Sequence, residues 1–400
     1  MIIIYNYKKE DLIFEEINDK VRCTFWENYY FEIRKQEIEK IGDFRIRDNS
    51  IFINAGEQRI NRRMSMIILN GFEKLNNKIT GRHTIFIDRN TRIPLLGSTS
   101  FGIVDRNTSL IEIKPMTGCN LECIFCSVDE GKSGKWTTDF LVDYRYIIEE
   151  YNRIVDLKGC DVEAHIGTQG EPFLYPKLTK LIRGLKHNKL TKTISIDTNG
   201  CFLTKTKIDK LAGAGLTRIN LSLNAIDKMI AGRLSGASYN INYVLKMAKY
   251  AVKKLDLLLA PVWVPGINDD EIPKLIGLSQ DLKAKIGIQN MLNYKYGRNP
   301  MKAMPWAVFT QKMAKLEKKY GVKLLLDEKD FGIVKTKNLS KPFRKGDIIK
   351  AEIVCDGRLK NEKIAVAQGR NISVKNCTKK RIVKVKITRD KHNIFFGRCL

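Results

Sequence analysis

Short apolar or alternating segments recur between residues 110 and 326, and amphipathic segments separate several of them. The apolar segments are LIEIKP, VEAHIG, TISIDT, RINLSL, LLLAPVWV and KIGIQN. The amphipathic segments include YPKLTKLIRGLK, KIDKLAGAGL and INYVLKMAKYAVKKL. Strand–helix alternation of this kind predicts a parallel sheet with crossover helices, as an open or closed α/β barrel. We therefore expect the active-site residues at the carboxyl ends of its strands.

The two flanking regions have different patterns. Residues 1–105 mix helical stretches such as YYFEIRKQEIEKI with β-type runs, which predicts an α+β domain; the runs are MIIIY, VRCTFW, SIFINA and HTIFI. After a linker at 335–341, short strands with basic turns are typical of a small β-barrel. These strands are GDIIKAEIV, KIAVAQG, NISVKN, RIVKVKIT and NIFFGRC. The predicted domains are therefore 1–105, 106–335 and 341–400.

The composition is that of a soluble protein, because 43% of the residues are hydrophobic and 29% are charged. No apolar run reaches the roughly 18 residues that a membrane span needs. Acidic residues close to the N-terminus break the pattern of a signal or transit peptide. We therefore expect a cytoplasmic protein without membrane contacts. In that compartment nine cysteines indicate metal or redox chemistry rather than a disulfide framework.

The charge balance is strongly basic, with 71 Lys and Arg against 44 Asp and Glu and a net charge of +27. A polyanionic partner explains such an excess, because neutralised phosphates release counterions. A general Lys-rich bias of the source proteome is the alternative. The excess is clustered, since residues 341–400 hold 17 basic and 5 acidic residues, a net of +12. This clustering favours a nucleic-acid-binding module at the C-terminal end.

Cys119, Cys123 and Cys126 form a C-x3-C-x2-C arrangement in the segment MTGCNLECIFCSVDEG. Three closely spaced thiolates in a loop after a strand can ligate three irons of a cubane and leave the fourth iron open for a small molecule. A zinc site is the alternative, but it needs a fourth Cys or His nearby. The next such residues are Cys160 and His165, so a [4Fe–4S] cluster is the better interpretation.

This segment resembles the signature of the radical S-adenosylmethionine (SAM) superfamily, and Phe125 matches the aromatic residue that is common before the last cysteine. The resemblance implies a partial (β/α)6 barrel whose three cysteines hold the catalytic cluster, with SAM chelating the open iron. It also implies that an electron from the cluster breaks the S–C5′ bond of SAM. An external donor such as a ferredoxin or flavodoxin would supply that electron.

Further segments follow in the order of the family's SAM contacts. Gly170, Glu171 and Pro172 in GTQGEP resemble the segment that binds the SAM amino group, although Gln169 replaces its first glycine. Glu171 suits this role because an ammonium group needs acceptors. An ordinary Gly-Pro loop is the alternative. By the same resemblance, an apolar strand end packs on the adenine, and Val264 in PVWVPGIND is the candidate there.

Polar residues at two further strand ends match positions where the family binds the SAM ribose and carboxylate. They are Asn199, after TISIDT, and Ser222 and Asn224 in INLSLNA. Hydroxyl and amide groups both donate and accept hydrogen bonds, which suits this task. Arg233, in the next helical stretch, can pair with the SAM carboxylate. The alternative for the Ser and Asn residues is an ordinary turn, since both types are common turn formers at strand ends.

The basic C-terminal segment resembles the TRAM domain, a small RNA-binding β-barrel found on tRNA-modifying enzymes. It has a Gly-Asp pair before its first strand, Gly369-Arg370 before a short strand, and a basic loop before RIVKVKIT. An all-β domain with a solvated basic face is the alternative. Phe395 and Phe396 are adjacent, so one of them is expected to face the core. The candidate phosphate contacts are Arg370, Lys379, Lys380, Arg381, Lys384 and Lys386.

The remaining cysteines are scattered, and we expect buried structural thiols at all of them. They are Cys23, Cys160, Cys201, Cys355, Cys377 and Cys399. The tRNA methylthiotransferases resemble this chain in having a radical SAM core and a basic C-terminal barrel. They hold a second, sulfur-donating cluster on three N-terminal cysteines, whereas here only Cys23 precedes the triplet. The sequence therefore favours a single cluster.

Together these resemblances imply a monomeric, tRNA-modifying transferase. We hypothesise that it acts through a 5′-deoxyadenosyl radical at an unactivated carbon of a modified nucleoside, with methylation or rearrangement as the outcome. Three alternatives stay open. They are sulfur insertion with an auxiliary cluster, a peptide or protein maturase whose basic domain binds ribosomal RNA, and an RNA-binding protein without catalytic activity.

Overall fold

The computed structural model describes the backbone of residues 4–7 and, in full, residues 11–167, 169–379 and 381–400. The strands in these residues are Ile4–Tyr7 (β1), Leu12–Ile17 (β2), Lys20–Phe25 (β3), Tyr29–Arg34 (β4), Phe44–Arg47 (β5), Ser50–Asn54 (β6), Asn76–Asn77 (β7), His83–Ile87 (β8), Gly102–Asp105 (β9), Leu110–Lys114 (β10), Thr117–Gly118 (β11), Thr138–Val142 (β12), Val162–Ile166 (β13), Gln169–Gly170 (β14), Thr191–Thr198 (β15), Arg218–Leu221 (β16), Asp256–Leu259 (β17), Val262–Trp263 (β18), Lys285–Ile286 (β19), Gln289–Asn290 (β20), Ile348–Asp356 (β21), Lys363–Ala367 (β22), Arg370–Lys375 (β23), Arg381–Arg389 (β24) and Phe396–Cys399 (β25).

The α-helices in the same residues are Lys35–Glu39 (α1), Glu57–Phe72 (α2), Tyr144–Lys158 (α3), Leu178–Lys186 (α4), Lys205–Ala214 (α5), Lys228–Ser235 (α6), Ile241–Ala251 (α7), Glu271–Leu282 (α8) and Trp306–Tyr320 (α9). None of them is long and apolar enough to cross a membrane.

A seven-stranded sheet lies at the centre, in the order β19-β17-β16-β15-β13-β10-β9. Its first six strands are parallel, and β9 pairs antiparallel with β10 at one edge. Helices α3 to α8 lie between successive parallel strands along the chain. This is the partial six-stranded α/β barrel that the alternation of apolar and amphipathic segments predicts.

The strands of this sheet have one apolar and one polar face. In β13 and β15, Ala164, Ile194 and Ile196 are fully buried, because successive side chains point to opposite sides of a strand. His165 and Asp197 occupy alternate positions on the other side, where their side chains lie 3.2 Å apart. The inside of the barrel is therefore polar, which is unusual for a sheet core and consistent with a binding site.

The N-terminal region contributes a six-stranded sheet in the order β12-β8-β7-β4-β3-β2. Strand β12 comes from the central region, after the cysteine triplet, and pairs parallel with β8. The expected helix at YYFEIRKQEIEKI is wrong in its first half, which forms β4. Tyr29, Phe31 and Ile33 alternate with more exposed residues there, and this period of two selects a strand.

The C-terminal region is a closed barrel of five strands in the order β21-β22-β23-β25-β24. Phe395 is fully buried in its core and packs edge-to-face on Phe343, whereas Phe396 is half-buried. One of the two adjacent phenylalanines thus faces the core, as expected. Cys377 and Cys399 form a disulfide, so the expectation of free thiols at these two positions is wrong. Barrel closure brings their Cα atoms to 5.5 Å, within bridging range.

A buried ion pair ties the central sheet to helix α3. Lys158 Nζ lies 2.9 Å from Asp105 Oδ1, and neither side chain is exposed to solvent. Lys158 also donates to Thr336 Oγ1 at 2.6 Å, which fixes the predicted linker segment to the core. The second carboxylate oxygen of Asp105 has no hydrogen-bond partner.

We predict that Lys158→Ala lowers the free energy of unfolding by about 3–5 kcal/mol, because it leaves the Asp105 charge buried and uncompensated. Chemical denaturation followed by circular dichroism measures this change. Arg153→Ala removes an exposed pair with Glu150 and is the control, with an expected loss of about 0–1 kcal/mol. Equal losses in the two variants would contradict the prediction.

Candidate cluster and SAM site

A cavity of about 370 Å³ lies at the carboxyl ends of the parallel strands. This is large enough to enclose much of a cofactor-sized ligand. The residues predicted from sequence that line it are Cys119, Cys123, Phe125, Cys126, Gly170, Glu171, Asn199, Ser222 and Asn224. The structure therefore brings together side chains from four separate segments that the sequence singled out.

The three cysteines lie in the loop that follows β11 and are half-buried. The backbone N–H of Leu121 points to Cys119 Sγ at 3.4 Å, and that of Glu130 points to Cys126 Sγ at 3.4 Å. Burial raises the pKa of the Cys123 thiol to about 12 and also raises the pKa of Cys119 and Cys126. Burial thus favours the protonated thiols, whereas binding to a metal centre favours the thiolates.

No group of three or more His, Cys, Asp or Glu side chains in the described ranges converges on a point that would hold a single metal ion. A cubane does not require such convergence, because each thiolate binds a different iron. Three half-buried thiols with N–H donors at two sulfurs, facing one cavity, fit a [4Fe–4S] cluster better than a mononuclear ion.

Gly170 has a steric role beside the cysteine loop. Strands β11 and β14 pair so that Gly118 and Gly170 lie opposite each other. A Cβ atom on Gly170 would lie 2.0 Å from the carbonyl oxygen of Gly118, and the φ angle of Gly170 is +143°. Only glycine allows this approach. Gly170 thus fixes the position of the residue before Cys119.

Glu171 is almost fully buried at the wall of the cavity. Its carboxylate accepts hydrogen bonds from the Phe173 N–H at 3.0 Å, the Thr198 hydroxyl at 2.8 Å and the Asn199 N–H at 2.8 Å. Burial raises its pKa to about 7. The carboxylate therefore joins the GTQGEP loop to the end of β15.

The amide side chains of the site are held in place by their neighbours. Asn199 Nδ2 donates to Asn120 Oδ1 at 2.9 Å, and Asn199 Oδ1 accepts the N–H of Cys201 at 2.9 Å. Asn224 Oδ1 accepts the N–H of Val262 at 2.8 Å. These contacts orient the two amides along the cavity wall before any ligand binds.

Three predicted SAM contacts do not lie on the cavity wall. Arg233 is exposed on α6, whose residues Ala231 and Leu234 face the cavity instead. Val264 is fully buried, and its N–H donates to Asn268 Oδ1 at 2.8 Å. Val262, two residues earlier, lines the cavity wall instead. Pro172 is buried at the start of the 3-10 helix Pro172–Leu174, directly after Glu171.

Several lining residues were not predicted from the sequence: Ser127, Glu130, Asp197, Thr198, Tyr239, Gln289, Asn290, Met291 and Tyr294. Asn290 is notable because its Oδ1 atom is buried without a hydrogen-bond partner, while its amide nitrogen donates to Met304 O at 2.8 Å. Such an acceptor at a cavity wall is available to a ligand donor. A polar residue ending the segment KIGIQN was the only sequence signal.

Comparison with known proteins agrees with this geometry. Residues 113–278 match the family model described as the radical SAM superfamily. The chain is also 40% identical over 402 residues to the uncharacterized protein MJ0103 of Methanocaldococcus jannaschii, covering 91% of each protein. The chain belongs to the radical SAM superfamily. As a radical SAM enzyme it uses a [4Fe–4S] cluster and SAM as cofactors.

Other similarities are partial. GTP 3′,8-cyclase of Chlorobaculum tepidum is 29% identical over 182 residues, which cover 44% of this chain and 51% of that protein. The chain thus spans about half the length of the cyclases it matches. The structure of SuiB from Streptococcus suis is a distant neighbour, with 18% identity, a TM-score of 0.42, and coverage of 79% of this chain and 70% of that one.

A buried ion cluster lies directly behind the cysteine loop of this radical SAM site. Arg358, from the turn between β21 and β22, donates to Asp139 Oδ1 at 2.8 Å and also to Glu130. Arg82 approaches the same carboxylates at 3.5 and 3.7 Å. All four side chains are at most 7% exposed. Since the Glu130 N–H points to Cys126 Sγ, the C-terminal barrel supports the cluster loop.

The predicted RNA contacts of the barrel have mixed environments. Lys379, Arg381 and Lys384 are exposed, and Lys386 is half-buried. Arg370 is also half-buried and donates to the carbonyl oxygens of Gly369 and Ser340 at 3.0 and 2.8 Å, an internal role. Lys380 lies outside the described residues.

We predict that Arg358→Ala weakens iron binding after anaerobic reconstitution. The substitution leaves Arg82 as the only guanidinium beside Glu130 and Asp139, so the free energy of unfolding falls by about 3–5 kcal/mol. The loop after Cys126 is then less restrained. Iron per chain and denaturant midpoint are the measurements. Lys360→Ala, exposed in the same turn, is the matched control. An iron content equal to that of the control would show that the barrel does not support the cluster loop.

Proposed function

We propose that this radical SAM enzyme modifies a nucleoside of tRNA at an unactivated carbon, by methylation or rearrangement. One observation carries the proposal: a strongly basic barrel inserts Arg358 beside the cysteine loop, so a module suited to a polyanion adjoins the cavity. A modified purine next to the anticodon is the substrate class we favour. The related cyclases act, by their name, on the purine nucleotide GTP, which is compatible with this choice.

A bound cluster and SAM supply the 5′-deoxyadenosyl radical. We assign Cys119, Cys123 and Cys126 to the three irons. We assign Glu171 to the SAM ammonium, since burial of this carboxylate strengthens charge pairing. Asn199, Ser222 and Asn224 offer donors and acceptors for the ribose and carboxylate. Of the wall residues, Ala260 and Val262 offer the apolar surface for the adenine.

The substrate base has to reach a cavity at the ends of the strands, so it cannot stay stacked in a helix. We therefore infer that one nucleotide is flipped out of the tRNA fold, while basic residues of the barrel hold neighbouring phosphates. Inside the central α/β barrel, Asp197 lines the cavity and accepts a hydrogen bond from Asn220 at 2.9 Å. Hydrogen bonds there can orient a base next to the bound SAM.

We predict that tRNA from a strain lacking this gene loses one modified nucleoside and accumulates its precursor. Liquid chromatography and mass spectrometry of digested tRNA measure both. The wild-type gene is expected to restore the profile, and the Cys119→Ala, Cys123→Ala, Cys126→Ala triple variant is not, because it cannot hold the cluster. A nucleoside profile that is unchanged by the deletion would rule out the tRNA proposal.

Iron counting separates this proposal from sulfur insertion. We predict about four irons per chain in the reconstituted protein and none in the triple variant, since one cubane is held by one triplet. Colorimetric iron and sulfide assays give the count. About eight irons per chain would require an auxiliary cluster and would favour methylthiolation instead.

A further inference from the structure

Three basic residues form a row across the outside of the C-terminal barrel. Lys375 on β23 pairs with Arg398 on β25, and Arg398 pairs with Lys386 on β24. Directly paired residues project from the same face of a sheet. The neighbouring residues Val374, Val385 and Ile387 are buried in the barrel core, so the row projects outward. We call Lys375, Arg398 and Lys386 the basic row.

The basic row places like charges side by side without compensation. None of its members forms an ion pair with a carboxylate in the described residues. Glu362 is within electrostatic range of Lys375, but its carboxylate accepts the Leu359 N–H at 3.1 Å. Like charges directly opposite each other destabilise a sheet. This arrangement therefore favours binding of a polyanion.

Aromatic side chains flank the row. Lys375 Nζ lies 4.3 Å from the centre of the Tyr296 ring and 5.5 Å from that of Phe396. The guanidinium group of Arg389 lies over the Phe396 ring, 5.6 Å from its centre. Cations interleaved with exposed or half-exposed rings are typical of single-stranded nucleic-acid sites, where phosphates meet the cations and bases stack on the rings.

The basic row is continuous with the SAM cavity. Lys375 donates to the Tyr296 hydroxyl, and Lys135 donates to the Tyr296 carbonyl. Tyr294, two residues earlier, lines the cavity and is 47% exposed. Trp136 packs near Tyr296 at 6.3 Å between ring centres. One short segment, 294–296, thus joins the cavity wall to the barrel surface.

We propose that the basic row, together with Tyr296 and Phe396, binds a single-stranded segment of RNA and leads it to the SAM cavity. This inference rests on the proposed tRNA substrate and specifies where the RNA lies. Of the cations in the basic row, only Lys386 belongs to the RNA contacts predicted from sequence; Lys375, Arg398 and Tyr296 are assigned by the fold. A double-stranded stem is not expected here, since stacking needs unpaired bases.

The test measures binding of a fluorescein-labelled, unmodified tRNA transcript as a function of potassium chloride concentration. We expect the variant K375A/R398A/K386A to bind at least about tenfold more weakly, and the slope of log affinity against log salt to fall by about 2. K246A/K249A/K253A is the control. It also removes three positive charges, from exposed positions on α7 (Lys246 and Lys249) and just after it (Lys253), and its affinity and slope are expected to match those of the wild type.

Two further measurements keep the outcomes separate. Iron content and reductive release of 5′-deoxyadenosine are expected to stay at wild-type values in the basic-row variant, which shows that it is folded. The exposed Arg398→Glu single variant is expected to weaken binding alone. If the wild type binds no tRNA, the proposed function fails. If the wild type binds tRNA and the basic-row variant matches the α7 control, the function survives and this inference is overturned.

Discussion

The buried cluster of two guanidinium and two carboxylate groups behind Cys126 is the constraint on which the rest of the structure depends. Each member comes from a different segment: Arg82 precedes β8, Glu130 follows the cysteine triplet, Asp139 is in β12 and Arg358 is in the barrel. Four buried charges are tolerated only when all are paired, because any single one would be strongly unfavourable. The N-terminal sheet, the cysteine loop and the barrel must therefore all be in place together.

The polar neighbours of Asp139 extend this constraint to the start of the cysteine loop. Asp139 accepts from Asn77 and Thr80 of the N-terminal region and from Thr117 of β11. Thr117 lies two residues before Cys119. The loop that carries the thiols is thus anchored at both ends by one carboxylate network, through Thr117 at its beginning and Glu130 at its end. A loop held in this way keeps its thiols at a fixed spacing, which a cubane requires.

The pattern of apolar and polar residues predicted the strands and helices of the central region. The parallel strands and the helices between them follow from apolar runs and from the spacing of residues such as Leu178, Leu181 and Leu185. Strands β12 and β8 pair although they lie about fifty positions apart, and the sequence of neither segment indicates its partner. The same holds for Arg358, which resembles any exposed turn residue in the sequence. In the site, motif glycines and cysteines were recognisable because their chemistry is restrictive, whereas Asn290 and Tyr239 belong to types found at many strand ends.

Two of the contacts between the barrel and the radical SAM core involve the segment between the triplet and β12. Arg358 holds Glu130, and its guanidinium lies 4.8 Å from the centre of the Trp136 ring. Lys375 reaches Tyr296, which Lys135 also contacts. A ligand on the barrel surface would therefore share neighbours with the cluster loop. It can shift the position of that loop only if it binds two arrangements of these residues with different affinity. At Lys375, a phosphate would compete with the Tyr296 hydroxyl for the same ammonium group.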